Sequence, residues 1–471
     1  MLKVLIEKEL REVFGSLKFT ITFGACAILV ILSFYMGASN YSFSHAQYEA
    51  AKAQNLKQME GLTDWASLQN HRIFLPPQPL AALVNGVSND IGRTIMVEGR
   101  GELTAEDSRY NDDPIFAIFR FLDLDFIFGT ILSLFAILLG YNSISGEKEQ
   151  GTLRLALANA IPRTRYILAK LISSAIALVL PLLIAILIGC LILVILRIPF
   201  SGEDWLTLIL IIITGLLYAC VFLTLSIFIS ALTHRSSNSF LLVLTIWIFG
   251  ALIVPRASVL LASRTVKVPS VDETTAQKSR YSSQLFKEDK TKMSQFKPSD
   301  IDDPEIMVDE FNRFMENIAD ERDEKMNRFA ERINEERSNK LRERQKLSLA
   351  LARISPTTSM TLAVTTLAGT SLMLKNHYRD EAARYQKSYG DFMKEKAGMN
   401  PGGHVMRIKM MMDDEEEPEQ INPSELPVFN YKKASVFSAA KTASLDLLFL
   451  VIYILLFLTG SFWAFGKYDL R

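Results

Sequence analysis

The chain has 471 residues, with 51 Lys and Arg against 51 Asp and Glu, 49% hydrophobic and 22% charged. Zero net charge excludes a bulk basic field for nucleic acid. Three cysteines, Cys26, Cys190 and Cys220, are too few for a disulfide framework, and the apolar content excludes a disordered or collagen-like chain.

The charges are unevenly spread. Residues 19–39, 126–146, 171–196, 205–233, 236–255 and 447–466 contain no Asp, Glu, Lys or Arg. At 1.5 Å per residue, about 20 residues cross a ~30 Å hydrocarbon core. The expected fold is an α-helical polytopic membrane protein with six transmembrane helices and large outer regions.

In chain order, residues 1–18 place Leu2, Leu5, Ile6, Leu10, Val13, Phe14 and Leu17 at helical spacing, with Lys3, Lys8, Arg11 and Lys18 between them. That is an amphipathic helix lying on the membrane surface. The first span, 19–39, follows this charged segment and is longer than a signal-peptide core, so it is read as retained. Residues 40–125 form a first outer region, where Pro76-Pro77-Gln78-Pro79-Leu80 and Asn85-Gly86 predict sharp turns and short strands. Arg120, Asp123 and Asp125 form a polar cluster at the outer mouth of the second span, 126–146. They fit either a substrate entrance or an ion pair that anchors the helix.

Residues 147–165 form a short loop. A helix over 152–160 offers Leu153, Leu155 and Leu157 for apolar contact, Gly151 permits a tight turn, and Pro162 stops the helix. Glu147 and Glu149 are available to basic residues of a partner. Three spans follow at 166–196, 205–233 and 236–255, with Pro181 and Pro255 as kink sites.

The second outer region, 256–446, is dominated by one long helical pattern. Asp303-Pro304-Glu305 provides an N-cap and a first-turn proline, and Phe311, Phe314, Ile318, Met326, Phe329 and Ile333 recur on one face. The pattern reaches Ile354, about 75 Å if unbroken. The expectation is a solvated hairpin with residues 360–386, with a dedicated docking surface as the other reading. Residues 398–428 read as an acidic loop (Asp413, Asp414, Glu415, Glu416, Glu417 and Glu419). His404, Met406, Met410, Met411 and Met412 are soft ligands suited to Cu(I). An amphipathic or unstructured segment is the preferred reading, and no metal site is assigned. The last span is 447–466.

With six spans both termini share one side. That side carries Lys3, Lys8, Arg11, Lys18, Lys148, Arg154, Arg163, Arg165, Arg235, Lys467 and Arg471, whereas the opposite loop at 197–204 sets Arg197 against Glu203 and Asp204. The positive-inside rule predicts cytoplasmic termini and extracytoplasmic outer regions, in the cell inner (plasma) membrane.

The segment from Glu147 to Lys170 resembles the permease subunits of type-2 ABC transporters. Their loop after the second span reads E-x-E-x-G-T-L, apolar residues, then P-x-x-R and a lysine. Glu147, Glu149, Gly151, Thr152, Leu153, Pro162, Arg165 and Lys170 match it in order, spacing and position. The resemblance implies that residues 1–18 are the elbow helix and that 147–165 is the ATPase-coupling loop. Pro77, Pro79, Leu80 and Gly86, together with Ser355-Pro356 and Ala368-Gly369-Thr370, resemble a subgroup with a large, mainly helical extracytoplasmic domain, similar to copper-maturation and gliding-motility permeases.

No G-x-x-x-x-G-K-[ST] phosphate loop is present; the nearest approach, Gly140 to Lys148, has the wrong spacing. The expectation is therefore a chain that binds no cofactor, with ATP and magnesium on separate ABC ATPase subunits. A second permease copy or a sister permease, the lipid bilayer and a periplasmic protein are the other expected partners. Neither H-E-x-x-H nor G-x-S-x-G occurs, which weakens an intramembrane enzyme. A non-transporting scaffold that holds an envelope partner through its outer helices is the alternative.

Overall fold

A computed structural model describes residues 2–62, 65, 68, 71–88, 91–97, 103–105, 123–158, 162–296, 304–397 and 421–467. Arg120, Asp303, residues 159–161 and the whole acidic and Met-rich segment 398–420 lie outside the described residues.

Six helices are long and apolar enough to cross a membrane: α2 (Leu17–Lys57), α4 (Leu124–Glu149), α6 (Arg163–Ile195), α7 (Gly202–Leu232), α8 (Ser236–Thr265) and α13 (Val436–Gly466). The chain is an α-helical polytopic membrane protein. It divides into two compact units. One comprises residues 1–255, 352–399 and 418–471; the other comprises 256–351 and 400–417.

In the first unit, α1 (Leu2–Phe14) precedes α2. Ser16 joins them: its hydroxyl donates to the Val13 carbonyl at 2.8 Å and accepts from the Phe19 N–H at 3.2 Å, capping α2. The helix α2 continues well past the 39 expected from its charge-free stretch, to Lys57. Small and helix-favouring residues (Ala50, Ala51, Lys52, Ala53, Gln54) carry it on into polar sequence. Span α7 starts with a capping box, in which Ser201 and Asp204 satisfy each other's backbone N–H. It is the most buried span, whereas α8 and α13 expose most of their surface.

Neither proline ends its span. Pro181 sits inside the continuous helix α6. Pro255 follows a π-helical turn, Phe249–Ile253, within α8. A second π-helical turn, Ile127–Leu132, lies in α4. Such turns absorb one extra residue and leave a backbone carbonyl open to side chains. Accordingly, Ser355 donates to Gly250 O at 2.5 Å, and Tyr218 to Gly129 O at 3.0 Å.

Beyond the end of α2 lies a small sheet of β1 (His71–Phe74), β2 (Thr94–Val97) and β3 (Thr104–Ala105), all antiparallel, with His71 opposite Val97. The helix α3 (Pro79–Leu83) follows β1. A core of Ile73, Leu75, Ile95, Val97, Tyr378, Tyr385 and Tyr389 joins this sheet to α12 (Met373–Ala397).

One element departs from expectation. The hairpin partner foreseen at 360–386 belongs instead to the first unit. Helix α11 (Pro356–Ala368) is capped by Ser355 and ended by Gly369 in the left-handed region (φ 73°). Its Met360, Ala363, Val364, Leu367 and Ala368 are buried in the first unit's hydrophobic core, packed against α7 and α13. The region 256–446 is therefore divided between the two units. The physical reason is in the sequence: residues 354–374 also lack any Asp, Glu, Lys or Arg, but their threonines mask the apolar face.

In the second unit, the long helix α10 (Pro304–Ala352) does form. Its partner is α9 (Val271–Met293), capped by Ser270. Arg337 reaches Pro269 O at 3.1 Å, Tyr281 stacks on Phe329 at 4.1 Å, and Arg322 pairs with Asp289 at 3.2 Å. Phe296 closes the turn against Phe311 and Phe314. Rising numbers on one helix meet falling numbers on the other, so the hairpin is antiparallel.

Candidate functional site

The end of α4 carries three consecutive charges, and each engages different helices. Glu147 accepts from Lys170 Nζ at 2.5 Å through Oε1 and from the Tyr166 hydroxyl through Oε2. Lys170 also donates to Glu9 Oε2 at 2.6 Å, which brings in α1. Lys148 donates to the carbonyls of Ala231 and Thr233, the last open acceptors of α7. Glu149 Oε2 accepts from the Ser236 N–H at 3.1 Å and its hydroxyl at 2.9 Å, at the first turn of α8. A cation thus sits at a helix C-terminus and an anion at a helix N-terminus, both favourable to the helix dipole. Tyr166 stacks on Phe465 at 5.4 Å, and Arg163 donates to Gly466 O at 2.7 Å, which adds the end of α13.

Lys170 is 4% exposed and Glu9 is buried with it. Burial pushes the Glu9 carboxyl above the ordinary carboxylate value, and Lys170 pulls it back part of the way. One ammonium between two carboxylates engages Glu147 within the chain, although 17% of its side chain remains exposed. Glu149, by contrast, stands exposed beside Ser236. Charges at the foot of an apolar bundle are matched inside the chain, because an unmatched one would cost several kcal/mol.

Between α4 and α6, the short helix α5 (Thr152–Ala158) forms within the expected 152–160. Gly151 turns the chain into it with φ 74°. Thr152 donates weakly to Glu147 O at 3.4 Å. The three leucines divide. Leu153 is fully buried in this chain's own core, Leu157 is half-buried, and Leu155 is 69% exposed. The apolar surface offered outward is thus Leu155, beside exposed Arg154 and Ala158. Pro162 caps α6, and Arg165 stands exposed in its first turn.

At the opposite end of α4, Asp123 caps the helix. Its Oδ1 accepts from Phe126 N at 3.0 Å, and its Oδ2 accepts from Asn85 N at 3.2 Å. Burial raises its carboxyl above the usual range, and these two backbone donors oppose the rise. Asp125 has its Oδ1 buried and lies beside Thr361 of α11. Next to Asn85, Gly86 takes φ 49°, and Val87 N–H donates to Thr370 O at 2.9 Å. Two separate sequence patterns, Pro77 to Gly86 and Ala368 to Thr370, therefore meet at one backbone contact.

Sequence reasoning missed Glu9, Tyr166 and the Arg353–Asp446 pair. Arg353 holds Asp446 with Nε at 2.6 Å and Nη2 at 3.3 Å, at the head of α13. Arg353 and Asp446 each border a charge-free stretch, which is the signal that could have found them; Glu9 and the uncharged Tyr166 carried no such signal.

No curated protein sequence matches this chain significantly. The family profile for ABC-2 family transporter proteins matches residues 4–470, nearly the whole length. With six membrane-crossing helices and this match, the chain belongs to the ABC-2 transporter family.

Proposed function

We propose that the chain is the permease subunit of an ATP-driven ABC transporter, in which α5 and its flanks receive the motion of a separate ATPase subunit. Members of the family are membrane subunits without a nucleotide-binding domain of their own and work with ABC ATPases. In this reading ATP and magnesium stay on the ATPase, both termini face the cytoplasm, and two permeases assemble around the pathway. The motif matches at Pro77, Pro79, Leu80, Gly86 and Gly369-Thr370 support a place near the copper-maturation and gliding-motility permeases. Export or mechanical transmission is the resulting activity.

The observation that carries the reading is the convergence at Glu147-Lys148-Glu149. Just before the exposed helix α5, one short stretch is bonded to α6, α7 and α8, and through Lys170 to α1. A push on Leu155 is delivered through Gly151 to four helices at once. The test is Leu155→Asp in the reconstituted permease–ATPase complex. Transport-coupled ATP hydrolysis should fall about ten-fold, as expected when an interface anchor is lost. Leu187→Asn, which alters a lipid-exposed residue of α6, should leave it unchanged. Undiminished coupling in Leu155→Asp overturns the proposal. If hydrolysis ignores this chain altogether while an envelope protein stays bound to the α9–α10 hairpin, the scaffold reading replaces it.

A further inference from the structure

An apolar cleft of about 310 Å³ opens between α7, α8 and α13 where α11 begins. Phe222, Phe249, Gly250, Ile354, Tyr453 and Phe457 line it. Three features distinguish it from an ordinary groove between helices.

The first is a backbone device that keeps it open. Gly250 lies in the π-helical turn of α8, and a Cβ built there meets nothing within 4 Å. Ser355 pins the Gly250 carbonyl, and the Tyr453 hydroxyl pins Ile354 O at 2.5 Å. The walls are therefore fixed by hydrogen bonds from α11's cap and α13, and do not collapse.

The second is a polarity gradient of defined length. One end is marked by the Arg353–Asp446 pair, which borders the charge-free stretches 354–374 and 447–466 and so marks the headgroup level. The far end is Phe457, about 16 Å further along α13 at 1.5 Å per residue. Half of a ~30 Å hydrocarbon core is about 15 Å, the depth of one leaflet.

The third is the chemistry at the polar end. Arg353 spends Nε and Nη2 on Asp446, and Nη1 makes no protein hydrogen bond among the described residues. A guanidinium N–H at headgroup depth is a phosphate donor. Ile246, Phe249 and Ile354 are exposed around the opening, so the phase against it is lipid.

We infer that this cleft binds one acyl chain of a bilayer phospholipid, with the phosphate at Arg353 and the chain tip at Phe457. Water is a poor occupant, because an apolar lining gives it no hydrogen-bond partners. The site does not depend on the coupling role of α5.

The test uses the full chain in phosphatidylglycerol vesicles doped with a phosphatidylglycerol that carries a photoactivatable diazirine near its acyl terminus. After illumination, labelled peptides are mapped by mass spectrometry. Labelling should concentrate on Phe457 at the deep end of the cleft, above that of freely lipid-exposed Leu187 and Leu191. Gly250→Leu fills the open space and should lower cleft labelling about five-fold, corresponding to roughly 1 kcal/mol, with Leu187 unchanged. Thr245→Leu, on the wall of the cleft, should act in the same direction, so the result does not hang on one variant's folding. Equal labelling of cleft and Leu187, or labelling indifferent to both variants, overturns the proposal. So does protection of the cleft by a second copy, seen as a protein–protein cross-link when a photoreactive phenylalanine analogue replaces Phe249.

Discussion

The Lys170 ammonium lies 2.6 Å from Glu9 and 2.5 Å from Glu147, so one buried cation joins the surface helix α1 to the ends of two spans. Breaking such a group by removing one member leaves charge uncompensated. Lys170→Met should destabilise the first unit by about 3–5 kcal/mol. Glu9→Gln with Glu147→Gln in the Lys170→Met background should recover most of the loss. Thermal unfolding of the detergent-solubilised chain measures both, and equal melting of the wild type and the Lys170→Met single variant would sink the idea.

His71 supplies a pH dependence. Its Nε2 is 2.6 Å from the Tyr385 hydroxyl, whose proton is committed to Pro427 O at 2.9 Å, so Nε2–H is the donor. Burial lowers the imidazole from 6.5 to about 4. Between those values the unfolded chain binds the proton and the folded chain does not. Stability contributed by the neutral ring is therefore present above about pH 6.5 and lost as the pH falls to about 4, by roughly 3 kcal/mol in all. Urea melts near neutral and near pH 4.5 should diverge for wild type and much less for His71→Phe.

Gly86 and Gly369 both have positive φ but should respond differently to alanine. A Cβ on Gly86 runs into Thr370, whereas one on Gly369 meets nothing within 4 Å. Gly86→Ala should cost about 2–3 kcal/mol from strain plus overlap, and Gly369→Ala about 1 kcal/mol from strain alone. Comparable melting temperatures for the two variants would contradict the crossing described between Val87 and Thr370.

Asp446 is 2% exposed and is held by Arg353 through two bonds. Arg353→Met should cost about 3–5 kcal/mol by stranding the carboxylate, while Arg353→Met with Asp446→Leu should be far milder. A double-mutant cycle on unfolding free energy checks this, and additive effects would refute the pairing.

The spans were legible because lipid forbids unpaired charge, so charge-free runs locate them directly. Their ends were less so. Helix α2 outruns its apolar stretch because Ala50 to Gln54 favour helix without being apolar. Helix α11 was hidden because Thr357, Thr361 and Thr365 look polar in sequence. In place, Thr365 returns its hydroxyl to the Thr361 carbonyl at 2.7 Å, and Thr357 meets the Tyr218 hydroxyl at 2.8 Å. At the loop, residue order gave the motif but not which way each side chain points. Leu153 and Leu155 are equivalent in one dimension, and only packing separates the buried from the exposed. The inward use of Glu147 was illegible for the same reason, since Glu9 and Lys170 stand far apart in the chain.

Helix α2 is unbroken from Ser16's cap to Lys57. About 27 Å of it, from Asn40 onward, extends past the charge-free stretch at 1.5 Å per residue. A straight rod of that length acts as a lever. A tilt of about 10° in the span swings its far end, where Asn55 donates to Arg72 O of β1, through about 5 Å. Since α1 is fastened to the near end and to Lys170, the sheet is a pointer whose reading is set at the other face of the membrane.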